Sequence, residues 1–170
     1  MNQATMPTAP QLELVAAGPD DVERIEALMQ FYNYDLSETC EVRFSEAGSY
    51  AIRPKRDYLA QPGTSAYLMR VDGELAGFAI VDAECEHADS DFNLGYFFIA
   101  RRFRGRGHGS AAVRQLFRLH RGNWEIYHLA ANHAAGAFWQ RVLAACAVDR
   151  LESSARTIHG EACVLFRFKV

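Results

Sequence analysis

Between Asn93 and Ser110 the chain reads Asn-Leu-Gly-Tyr-Phe-Phe-Ile-Ala-Arg-Arg-Phe-Arg-Gly-Arg-Gly-His-Gly-Ser, an apolar run that gives way to alternating arginines and glycines. Aromatic and β-branched residues favour extended backbone, glycines reach the positive φ values that turn N–H groups inward, and the helical pattern that follows adds unpaired N–H groups and a positive dipole end. A strand, an anion-binding loop and a helix are therefore predicted in that order. Such a loop suits a phosphate or pyrophosphate.

At 170 residues with 49% hydrophobic content, the chain has the size of one domain and enough apolar surface for a sizeable core. Residues 12–170 are expected to form that domain, and residues 1–11, polar with Pro7 and Pro10, a flexible N-terminus. The net charge of -3, with positive charge gathered in one short segment, argues against a nucleic-acid binder and for a small anionic ligand. Cys40, Cys85, Cys146 and Cys163 show no Cys-x-x-Cys pair or zinc-like spacing, so no metal is expected. Neither a signal-type core nor a run of membrane-spanning length is present in the sequence, which predicts a cytoplasmic protein away from membranes.

Periodicity orders the rest. Leu12 to Ala16 alternates as a first strand, and Val22, Ile25, Leu28, Met29 and Tyr32 form one helical face behind Gly18-Pro-Asp-Asp21, ending near Tyr34. Asp35 to Pro62 is mostly irregular, with a short helix predicted around Lys55 to Ala60, and is the expected acceptor-side region. Ser65 to Val71 and Glu74 to Val81 read as a hairpin about Asp72-Gly73, followed by an acidic loop from Asp82 to Asp91 and a strand from Leu94 to Ile99. A helix from Gly107 to about His120, a strand from Trp124 to Ala130, a helix from Ala134 to Ala145 and two closing strands around His159-Gly160 complete the pattern. The expected class is α/β in the broad sense (α+β): a mixed central sheet of about seven strands flanked by helices.

Arg104-Gly-Arg-Gly-His-Gly109 fits Arg-x-x-Gly-x-Gly, and one helix and one strand later stands Asn132-His-Ala-Ala-Gly-Ala-Phe-Trp139, similar to an Asn-x-x-Ala-x-x-Phe-Tyr run. In these two motifs the chain resembles the GNAT superfamily of acyl-CoA-dependent N-acetyltransferases. A dinucleotide turn fits less well, because counting from Gly105 the third glycine falls at 109 and Ser110 takes its place, and no Gly-Lys-Ser/Thr follows for a triphosphate loop. The resemblance implies acetyl-CoA as acyl donor, with its pyrophosphate on the loop formed by Arg104, Gly105, Arg106, Gly107, His108, Gly109 and Ser110. Arg101 and Arg102 would add charge nearby. It implies that the strand before the loop splays from the next one, that Phe97, Phe98 and Ile99 pair with the pantetheine arm, and that Asn132 and Phe138 line its other side. A homodimer is compatible with the same resemblance.

The resemblance further implies transfer to a primary amine of a small molecule or amino-acid-like acceptor. Amine acylation requires a polarised thioester carbonyl, a base that exposes the lone pair of an ammonium with a pKa of about 10, and a proton for the thiolate. This chain departs from the usual pattern by carrying Trp139 in place of the Tyr acid and Tyr96 where many members have a Glu. Water, Tyr96 and Tyr127 are left as proton donors. Glu84, Glu86, Asp89, Asp91 and His87 are the nearest groups for the base, and Glu84 is the first choice because alternation from Ala79 and Val81 keeps it near the strand end. His108 is expected to present its backbone N–H, and His133 to sit in a loop or core. The alternative expectation, motivated by the missing Tyr and Glu, is a non-catalytic module that binds or senses acyl-CoA.

Overall fold

A computed structural model describes residues 11–146 and 148–170. The flexible segment expected at residues 1–11 thus lies, apart from Gln11, outside the described residues. Seven strands and four α-helices follow the predicted order: β1 (Leu12–Ala16), α1 (Val22–Leu36), α2 (Lys55–Leu59), β2 (Ser65–Val71), β3 (Glu74–Asp82), β4 (Phe92–Ile99), α3 (His108–Leu119), β5 (Asn123–Leu129), α4 (His133–Ala145), β6 (Asp149–Ile158) and β7 (Glu161–Lys169). Asp72 and Gly73 take φ values of 50° and 81°, and His159 and Gly160 take 50° and 84°, so both hairpins turn in the positive-φ manner that matches strand twist.

The strands form one sheet in the order β1-β2-β3-β4-β5-β7-β6. Every neighbouring pair is antiparallel except β4 and β5, which run parallel and are in register only at Phe92 with Trp124 and Asn93 with Glu125. Beyond those two residues the strands separate. Helices cover both faces: Ala112, Val113, Leu116, Val142 and Leu143 of α3 and α4 pack against Met69, Val71, Phe166 and Phe168, while Ile25, Met29 and Tyr58 of α1 and α2 pack against Leu68, Phe78, Ile80 and Phe98. Polar clasps support this packing, with the Gln115 side chain of α3 donating to Leu12 O at 3.0 Å.

Strand β4 carries an irregularity that the sequence pattern does not reveal. Ile80 opposes Tyr96 but Val81 opposes Leu94, so Gly95 is left over as a bulge. The extra residue resets the alternation, placing Leu94 and Phe97 toward the α3 and α4 side and Tyr96 and Phe98 toward the α1 and α2 side. The sheet therefore bends and parts at its centre, beside the glycine loop.

Candidate active site

Ile99 ends β4, and a 3-10 turn at Arg101–Phe103 buries Phe103 before the chain swings out. Gly105 and Gly107 then adopt φ values of 76° and 83°, conformations that L side chains rarely take, and the chain curls back into α3. Gly107 is the N-cap residue of α3 and makes no side-chain cap bond, so the first-turn N–H groups remain available to a ligand. A cleft of about 750 Å³ opens in front of them, between β4 and β5.

Phe97, Phe98, Ile99, Arg104, Gly105, Gly107, Gly109, Ser110, Asn132 and Phe138 all line this cleft. Of the residues expected at the cofactor, Arg106 and His108 do not line it. Arg106 is exposed and makes no ion pair among the described residues. The His108 ring is buried against Phe103, at 6.4 Å between ring centroids, with its Nε2 unpaired. Its backbone still begins α3.

An aromatic wall faces the loop. Phe138 stacks on Phe97 at 5.8 Å, and Trp139 meets Phe97 edge-on at 5.4 Å and Phe138 at 4.8 Å. A Cβ on Gly109 would fall 2.9 Å from the Phe138 ring, so α3 and α4 approach closely only because that residue has no side chain. Asn132 does two things at once: it lines the cleft, and its side chain accepts from Ala135 N–H at 3.0 Å as the N-cap of α4.

The cleft is also bounded by Tyr32, Asp35 and Leu36 of α1 and Tyr127 of β5. Burial raises the Tyr32 phenol well above its ordinary range and pushes Tyr127 up to about 12, so both stay protonated at neutral pH. Asp35 reaches across to the loop and pairs with Arg101 at 2.7 Å and also with Arg104, whose Nε–H donates to Ile99 O at 2.6 Å. Burial pushes the Asp35 carboxyl up, but the hydrogen bonds from Arg104 and Arg101 outweigh it and lower its pKa.

Tyr96 stands beside Tyr32 without lining the cleft, edge-on to it at 5.6 Å and to Tyr58 at 5.9 Å. Burial raises its phenol too. Glu84 forms a two-pronged pair with Arg53, at 2.7 and 2.8 Å, which holds its carboxyl below the usual range. Arg53 in turn lies 4.2 Å over the Tyr58 ring. Lys55 is fully buried, donates to Arg53 O at 2.8 Å, and sits 4.7 Å from the Tyr96 centroid; burial and the neighbouring Arg53 lower its pKa to about 8.

The remaining acidic candidates serve the loop that carries them. Asp89 pairs with Arg167 at 2.6 Å, Asp91 accepts from Asn123 N–H at 2.8 Å, and His87, Ser90 and the Glu86 N–H all bond the buried Glu125 carboxylate. Glu125 escaped the sequence reading. Its only signal was a carboxylate inside the apolar strand Trp124 to Leu129.

A family model described as the acetyltransferase (GNAT) family matches residues 27–144. The chain belongs to the GNAT acetyltransferase family. No curated protein sequence matches it. Among solved structures, it is similar to an acetyltransferase from Thermus thermophilus (TM-score 0.69, 16% identity, covering 95% of this chain and 99% of that one). An aminoglycoside acetyltransferase in complex with coenzyme A gives a TM-score of 0.67 at 16% identity, over 94% and 95% of the two chains. Mutant forms of the Vibrio cholerae spermidine/spermine N-acetyltransferase give 0.57 at 12% identity, over 94% and 93%.

This GNAT chain is thus an N-acyltransferase, and the expected mixed sheet of seven strands is present. No group of His, Cys, Asp and Glu among the described residues could hold a metal ion. No helix among them is long and apolar enough to cross a membrane. Trp139, which stands where the family pattern has Tyr, is 5% exposed and engaged in the aromatic wall.

Proposed function

We propose that this acyltransferase moves an acetyl group from acetyl-CoA to a primary amine of a small molecule or amino-acid-like acceptor. The observation that carries the reading is the parting of β4 from β5, with a glycine-lined helix start and tyrosines lining the cleft between them. The N–H groups from Gly105 to Ser110 hold the donor's pyrophosphate, and Arg106, exposed and without an ion pair among the described residues, adds charge beside it. The edge of β4 between Gly95 and Ile99 that β5 leaves unpaired receives the pantetheine arm, and Phe97, Phe138 and Trp139 exclude water from it. A backbone N–H there polarises the thioester carbonyl.

The acceptor enters from the side of Tyr32 and Tyr127. The ammonium first gives one proton to a base; the neutral amine nitrogen then bonds to the carbonyl carbon, the carbon–sulfur bond breaks, and the nitrogen loses its second proton as the sulfur gains one. Glu84 is the proposed carboxylate: ionised at neutral pH, it draws a cationic amine and takes its proton as the ammonium competes with Arg53. Tyr127, which lines the cleft and is held protonated by burial, is the proposed donor to the sulfur, with Tyr96, buried outside the lining, as a proton source only through it.

A screen of primary amines with acetyl-CoA, read by release of free thiol, tests this. Turnover with one class of amine is expected. Tight CoA binding without release across the panel would replace this reading by that of an acyl-CoA-binding module.

A further inference from the structure

Asp82 is the last residue of β3, is 1% exposed, and plays no part in the scheme above. A buried carboxylate is costly unless its oxygens are filled, and removing one alone leaves its buried donors without partners. Here three donors fill it. The Tyr58 hydroxyl donates to Oδ2, and Oδ1 accepts from Glu84 N–H at 2.9 Å and from Asn93 Nδ2 at 3.0 Å.

Each donor belongs to a different part of the machinery. Asn93 is one of the two β4 residues still in register with β5, so it marks the point where the cleft begins. Glu84 is the carboxylate assigned to the acceptor, and its backbone is fixed by Asp82 while its side chain is fixed by Arg53. Tyr58 is 2% exposed and presses its hydroxyl against the bulge: a Cβ on Gly95 would collide with the Asp82 carboxylate and fall 2.6 Å from the Tyr58 oxygen. Gly95 itself lines the cleft. One buried carboxylate therefore touches the start of the cleft, its bulged wall and the backbone of the residue that carries the acceptor carboxylate.

We propose that Asp82, through Tyr58, Asn93 and Glu84, is a positioning residue for acyl transfer, setting the offset of the β4 bulge against the thioester and the place of Glu84 against the amine. It touches neither substrate. The proposal rests on the acetyl-transfer reading for its effect on rate, but its steric core, the fit of Gly95 against the Asp82 and Tyr58 pair, stands independently.

Asp82→Asn keeps the shape of the side chain, and Tyr58→Phe removes a single hydroxyl. Both are expected to bind CoA within about threefold of the parent, while kcat for thiol release from acetyl-CoA falls about tenfold or more for D82N and several-fold for Y58F, with KM for acetyl-CoA unchanged. The amine that is fastest with the parent serves as acceptor. Gly95→Ala is expected to lower Tm in the parent and to lower it much less in a Tyr58→Phe, Asp82→Ala background, with Tyr58→Phe alone as the milder background. Parental kcat in D82N, a parallel fall of CoA affinity and kcat, or an equal Gly95→Ala effect in all backgrounds would each overturn the proposal. A parent that releases no thiol with any amine overturns the activity reading instead, and the Gly95 coupling, measured without turnover, still decides the steric core.

Discussion

Gly109 joins two jobs in one residue. Its N–H belongs to the first turn of α3, and its missing side chain lets the Phe138 ring close to within contact distance of the helix. Gly109→Glu fills the gap and adds a negative charge beside the proposed phosphate position. CoA binding, measured by calorimetry, is expected to be lost or to weaken by about 100-fold, since an unpaired like charge in such a site costs several kcal/mol. Unchanged affinity would remove the loop from the donor site. His108, one residue earlier, has the reverse character: its side chain is buried away from the cleft, and only its backbone is placed for the ligand.

Among elements, α1 is tied to the donor loop by Asp35, which sits between Arg101 and Arg104 near the helix end. The same last turns carry Tyr32, so the proposed acceptor wall and the glycine loop are tied through one helix. Because the folded-state pKa of Asp35 is lowered, its stabilisation is present above the ordinary carboxylate value of about 3.9 and is lost as pH falls through the lower folded value. Asp35→Asn is expected to cost about 0.5–1 kcal/mol at pH 7, after allowing for solvent screening, and progressively less as pH falls below the ordinary carboxylate value, by urea denaturation. What could be read from sequence at this scale was local. The hairpin turn at Asp72-Gly73 and the stripe of α3 are set by neighbours in the chain, so their residues announce them. The Asp35 clamp joins residues 66 and 69 positions apart, and the Glu125 hub gathers a loop 35 to 39 residues distant. No local pattern encodes such partners. The β4 bulge was equally hidden, because an inserted residue shows only against the opposing strand. The conformation of the glycine loop is legible because glycine spacing states backbone conformation directly, whereas the partners of Glu84 and Tyr96 lie far away along the chain and no local pattern gives them.

Across the whole molecule, β1 to β4 form one antiparallel ribbon built from residues 12–99, and β5, β7 and β6 form another from residues 123–169. A seam of two paired positions joins them, reinforced by α3 where it clasps β1. Past the seam the amides of β4 and β5 that face the gap lack cross-strand partners, while alternate amides still bond β3 and β7, so low protection in the free protein is expected of the gap-facing amides alone. Hydrogen exchange should slow at residues 95–99 when CoA is added, and change far less in β1 and β2. Equal slowing everywhere would mean that the ligand tightens the whole fold and not the parted strands.

The seam also has a mechanical meaning. A sheet held together at two positions is a clip with a short spring, and an extended ligand laid along the gap becomes, in effect, an eighth strand that completes it. On the proposed reading the donor is part of the architecture while it is bound, and the sheet is complete across its centre only in the loaded protein.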